Sequence, residues 1–152
     1  MKPKIRAIET RYAGCRFRSR TEARYAVFMD RLGLVWEYEP QGFVMDGTAY
    51  LPDFYLPRLH KYLEIKGGEP SWPEVEKVLK LAAAVAGEDT VSLLKGDVPR
   101  ASFTRTVAGI RCEAPADGEL KPSLWLLPFP VDAVDAALTA ARSARFEHGE
   151  NG

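Results

Sequence analysis

The chain has 152 residues, 46% apolar and 28% charged, the make-up of one ordinary globular domain. This excludes a generally disordered chain, and no apolar run is long enough to span a bilayer. Twenty-one basic residues balance twenty-one acidic ones, so net charge announces no polyanion partner. Two cysteines, Cys15 and Cys112, exclude a disulfide framework or a zinc spacing. No apolar segment follows the N-terminal charges, so the expectation is reduced thiols in a cytoplasmic protein without membrane contact.

The charge is unevenly placed. Residues 1–24 hold eight basic side chains against Glu9 and Glu22, a local excess of +6. The spacing predicts a basic N-terminal arm over 1–15, which either neutralises phosphates with counterion release or is simply solvated. Ser19-Arg20-Thr21-Glu22 then has capping-box spacing. Tyr25, Phe28, Met29 and Leu32 follow with helical period. A helix is predicted over 21–32, stopped by Gly33.

Residues 34–38 read as a short strand and 43–45 as a second one or its continuation. Asp46-Gly47 is a hairpin-type turn. Residues 49–56 and 61–65 read as two strands joined by Pro57-Arg58-Leu59-His60, and Gly67-Gly68 ends that pair. Ser71-x-x-Glu74 is a second capping-box spacing. It precedes an apolar stripe of Val75, Val78, Leu79, Ala82 and Val85, ended by Gly87. A strand follows over 90–94. Residues 96–122 are punctuated by Gly, Pro and charge, with a strand near 107–112. Residues 123–127 read as a short extended segment, and 131–146 as an Ala-rich helix. The alternation predicts a single α/β domain with a mixed sheet over 16–148 and a flexible tail over 149–152.

The chemistry concentrates in Pro52-Asp53 and Glu64-Ile65-Lys66. An antiparallel pair turning between Arg58 and Leu59 sets Asp53 opposite Glu64, with Cβ atoms roughly 4.5–5.5 Å apart on one face. Lys66 shares that face. Facing carboxylates repel unless a cation lies between them, and a hard divalent ion with oxygen ligands fits. Lys66 beside it would orient or deprotonate a water, as in metal-assisted phosphodiester hydrolysis. The plainer alternative is a surface hairpin in which Lys66 offsets two exposed acids. Glu22 lies on the apolar stripe of its helix, which implies pairing or metal binding, or else it closes the capping box. Arg18 and Arg20 either hold phosphate near a helix N-terminus or belong to a solvated loop.

Glu22 on a first helix, then Pro52-Asp53, then Glu64-Ile65-Lys66 resembles the PD-(D/E)XK nuclease superfamily, in particular small phage and resolvase-like endonucleases. The likeness covers residues 16–94. It implies a restriction-endonuclease-like α/β core, a central mixed β-sheet flanked by helices. It also implies that Asp53, Glu64, the Ile65 carbonyl and Glu22 hold Mg²⁺ (Mn²⁺ substituting), with Glu22, Asp53, Glu64 and Lys66 as the catalytic set. The expected activity is that of a Mg-dependent deoxyribonuclease, structure-selective or weakly specific, in phage or mobile-element DNA processing. Host cytoplasm would then be its compartment. Arg16, Arg18 and Arg20 would contact the DNA backbone, and a homodimer would suit two-strand cutting. A nucleic-acid-binding or assembly module with weak or partner-dependent cleavage is the alternative, and an RNA nuclease a third.

Other features weigh less. Arg142 and Arg145 share one helix face, as a solvated surface or a DNA contact. Tyr12, Tyr25, Tyr55 and Tyr62 either stack bases or pack the sheet. Trp36, Trp72 and Trp125 read as core anchors or half-buried residues. His60 and His148 lack ligand spacing, and Gly67-Gly68 lacks that of a phosphate loop.

Overall fold

The computed structural model describes residues 9–96, 111–112 and 129–146. The expected strand residues 107–110, the segment 123–127 with Trp125, His148, and the tail 149–152 lie outside the described residues. So do residues 1–8 of the basic arm.

Strands β1 (Thr10–Tyr12) and β2 (Cys15–Phe17) form an antiparallel hairpin. Its turn, Ala13-Gly14, has φ of 49° and 79°, the paired positive values of a two-residue hairpin loop. The sequence pointed to an arm here. Arg11 and Arg16 face out while Thr10 and Phe17 are buried. The hairpin delivers the chain to helix α1 (Arg20–Arg31), and Ser19 caps it by accepting from the Glu22 N–H. At the other end Gly33, at φ 74°, donates to Asp30, and Leu34 donates to Met29. That is a Schellman stop, and it explains why Gly33 ends the helix.

Strand β3 (Glu37–Tyr38) is shorter than the predicted 34–38. Strands β4 (Phe43–Met45) and β5 (Thr48–Tyr50) form a separate hairpin through Asp46-Gly47, both with positive φ. The single strand expected over 49–56 is divided. Tyr50 ends β5, and β6 (Phe54–Leu56) begins after Leu51-Pro52-Asp53. Pro52 has no N–H to give to a ladder. A turn of 3₁₀ helix (Pro57–Leu59) and His60 at φ 49° then lead into β7 (Lys61–Lys66).

Helix α2 (Trp72–Ala84) returns the chain to β8 (Thr90–Lys95), parallel to β7. Strand β9 (Arg111–Cys112) closes a five-stranded mixed sheet of order β3-β6-β7-β8-β9, and helix α3 (Val131–Ser143) follows. The helix predicted to 146 stops at Ser143, because Ala144 turns extended.

The sheet is covered on both faces, so its central strands are apolar on both. Phe54, Leu63, Ile65 and Leu94 pack on α1 and α3. Tyr62, Val91 and Leu93 pack on α2 through Val78, Leu81 and Ala82. Each such side chain, fully buried, is worth about 1.5–3 kcal/mol. No helix among the described residues is long and apolar enough to cross a membrane.

Candidate active site

The β6–β7 register pairs Phe54 with Leu63, Tyr55 with Tyr62 and Leu56 with Lys61. This is the register expected from the turn, and one further step sets Asp53 against Glu64. The period of two then places Asp53, Glu64 and Lys66 on the α2 face of the sheet. The ladder ends before Asp53. Its carboxylate instead folds onto the neighbouring strand, where Oδ2 accepts the Ile65 N–H at 2.7 Å.

These residues line one open cleft of about 400 Å³, and Glu22 and Arg18 reach it from the start of α1. Glu22, Asp53 and Glu64 are only 5%, 2% and 6% exposed. Burial first, then the neighbouring Glu64 and Glu22 carboxylates, hold the Asp53 carboxyl well above its ordinary range. Burial also raises Glu64, against the pull of the Tyr50 hydroxyl and Lys66. Tyr50 donates to Glu64 Oε2 at 2.7 Å. Three acids crowded out of water need positive charge nearby.

Arg18 and Lys66 supply it directly, and Lys77 also lines the cleft. Arg18 places Nη2 3.0 Å from Asp53 Oδ1 and Nε 3.0 Å from Glu39. Lys66 Nζ lies 2.6 Å from Glu74 and 3.4 Å from Glu64. Burial works against the Lys66 charge, but the Glu74 hydrogen bond and the carboxylates of Glu64, Glu74 and Asp53 outweigh it and raise its pKa. Lys66 is therefore a held cation, suited to orienting a water or meeting phosphate charge more than to removing a proton.

The donor chemistry of the cleft fits a hard divalent cation, since Asp53, Glu64, Glu22 and the Ile65 carbonyl are all oxygen donors. In their positions here, no three acidic, His or Cys side chains among the described residues converge into a metal-holding set. Arg18 and Lys66 meet the acids instead.

The structure thus brings together Arg18, Glu22, Asp53, Glu64, Ile65 and Lys66. It does not bring Arg16, which pairs with Glu9 at 2.5 Å on the surface, or Arg20, which lines a different cavity. Four contributors escaped the sequence reading. Tyr50 and Glu74 hold Glu64 and Lys66. Tyr38 reaches Glu22 Oε2 at 3.5 Å, and Glu39 shares Arg18. Glu74 carried a signal, its capping-box place. Tyr38 follows from packing, because Phe17 and Phe54 hold its ring with centroids 4.5 and 5.3 Å away.

The weaker candidates resolve through packing. Tyr25 and Tyr62 are buried, Tyr55 stacks on Tyr62 and Tyr12 meets Phe146 edge-on. Trp36 packs against the core, but Trp72 is 66% exposed. His60 sits at the turn, 3.7 Å from Asp89. No family model, curated protein or solved structure matches this chain.

Proposed function

We propose that this chain is a metal-dependent endonuclease that hydrolyses DNA phosphodiester bonds, built on a restriction-endonuclease-like core. The observation that carries the reading is the convergence of Asp53, Glu64 and Lys66 on one sheet face, with Glu22 arriving from α1. Asp53, Glu64 and the Ile65 carbonyl would hold Mg²⁺ or Mn²⁺, with Glu22 directly or through water. The ion would supply Lewis-acid activation and charge neutralisation at the phosphate. Lys66, kept protonated, orients the attacking water and stabilises the extra negative charge on phosphorus oxygens. One P–O bond to water forms as one P–O ester bond breaks. Tyr50 fixes Glu64, and Glu74 fixes Lys66. A homodimer would provide two such sites for two strands.

One observation favours a second reading, a nucleic-acid-binding or assembly module. Arg18 already neutralises Asp53, and such a pair stands without an ion.

The deciding experiment offers supercoiled, linear, single-stranded and branched DNA, beside RNA, with Mg²⁺, Mn²⁺ or EDTA. Wild type cuts only with metal, and Asp53→Ala and Lys66→Ala lose at least about 100-fold while retaining binding, since even residues that only orient metal ligands are worth about 10–100-fold. Absence of cutting with every metal, or wild-type cutting by Asp53→Ala, overturns the assignment. Cutting of RNA alone moves the substrate class.

A further inference from the structure

A second cavity, of about 280 Å³, is lined by four arginines: Arg20, Arg24, Arg142 and Arg145. No acidic side chain lines it among the described residues. Arg20 and Arg24 stand one turn apart on α1, on the same face. Glu22, two residues from Arg20, lies about 200° round the helix, and it lines the acidic cleft. The two cavities therefore flank the first turns of α1 on opposite sides, one acidic and one basic.

The basic side is built by the way α3 ends. Val134, Ala137, Leu138 and Ala141 bury α3 in the core cluster it shares with α1. The chain leaves the helix at Ala144 in an extended conformation, and Ala144 and Phe146 are buried. These anchors leave Arg142 and Arg145 exposed at the rim, opposite the Arg20–Arg24 face. Each guanidinium offers a planar fork of donors that matches phosphate oxygens.

We propose that this arginine cavity binds a backbone phosphate of the same nucleic-acid strand that enters the acidic cleft. The inference rests on the nuclease reading for the direction of the strand. An α-helix with its side chains is about 10–12 Å across. A strand crossing the start of α1 therefore presents to the arginines a backbone phosphate close in sequence to the bond in the cleft. Arg16 and Arg18, expected to grip the backbone, are engaged by carboxylates.

The test is binding of a labelled DNA oligonucleotide and a matched RNA, followed by fluorescence anisotropy in EDTA across a salt series. Arg142→Ala/Arg145→Ala weakens binding about 10-fold at low salt. The slope of log K against log salt becomes shallower by about 1, as the loss of one phosphate contact requires. Arg142→Lys/Arg145→Lys restores the slope but only part of the affinity, because charge returns without the fork. Arg145→Ala alone, outside the helix, gives half the slope change and keeps the test open if the double variant unfolds. Unchanged affinity and slope in a folded variant, or no binding of either nucleic acid by wild type, overturn the proposal. Wild-type cutting with pocket-independent binding removes the phosphate site alone. Arginine-dependent binding without any cutting keeps the phosphate site and removes the nuclease reading.

Discussion

Two helix N-termini meet at the acidic cleft with the same Ser-x-x-Glu spacing, and they are used differently. At α2 the box is closed. Ser71 accepts the Glu74 N–H at 3.4 Å, and Glu74 Oε1 accepts the Ser71 N–H at 3.0 Å. The other Glu74 oxygen holds Lys66. At α1 the box is half open. Ser19 accepts the Glu22 N–H at 3.2 Å, but the Glu22 carboxylate turns from the Ser19 backbone to its hydroxyl, also at 3.2 Å, and to Tyr38. Burial separates the two. Glu22 is enclosed beside Asp53, whereas the Glu74 side chain is 37% exposed. A glutamate at the third helical position closes its box when water can reach it. When the fold encloses it with other acids, it turns to neighbouring hydroxyls instead.

The sharpest way to break this contrast is Glu22→Gln. Glutamine keeps an oxygen for the Ser19 and Tyr38 hydroxyls and removes one of the charges crowding Asp53. Metal-dependent cutting should fall about 10–100-fold, while the urea midpoint hardly moves. Preserved cutting with a loss of about 1 kcal/mol in stability would make Glu22 a helix cap like any other. The caps themselves give a smaller effect. Ser71→Ala should cost about 1 kcal/mol in urea unfolding. Ser19→Ala should cost more, up to about 2 kcal/mol, because it also takes a donor from a buried carboxylate. Equal costs would mean that the Ser19 hydroxyl does nothing for Glu22.

The helix caps were legible in the sequence because they are local. Ser19, Gly33 and Ser71 act within one turn, so spacing alone places them. The β6–β7 register was legible for a similar reason, since a four-residue connection leaves few ways to pair the strands. What was hidden depends on side-chain direction across distance. Nothing in the spacing says that Arg18 turns back onto Asp53 and Glu39, or that Tyr50, in another hairpin, reaches Glu64. Residues 10–15 were read as part of a basic arm because the charge excess of the first 24 residues runs through them. Only the burial of Thr10 and Phe17 on one face reveals the hairpin.

The smallest expected effect is also the one that isolates the closed box. The Lys66 hydrogen bond, then the Ser71 N–H, hold the Glu74 carboxyl down to about 2 from its ordinary 4.5. A depressed carboxylate contributes stability above its unfolded pKa, and that contribution is lost as pH falls toward the folded value. The loss attributable to Glu74 therefore lies between about pH 4.5 and pH 2. Glutamine at position 74 can still accept the Ser71 N–H, but it carries no charge for Lys66. Glu74→Gln should show a shallower fall of the urea midpoint across that acid window and only a slight change at neutral pH, where solvent screens a partly exposed pair. A fall as steep as wild type would show that the Glu74–Lys66 pair adds nothing. At neutral pH the same variant releases Lys66 toward Glu64, already 3.4 Å away. Cutting should then fall, but by less than in Glu22→Gln, because Glu74 only fixes the lysine from the rim whereas Glu22 is proposed to stand at the metal.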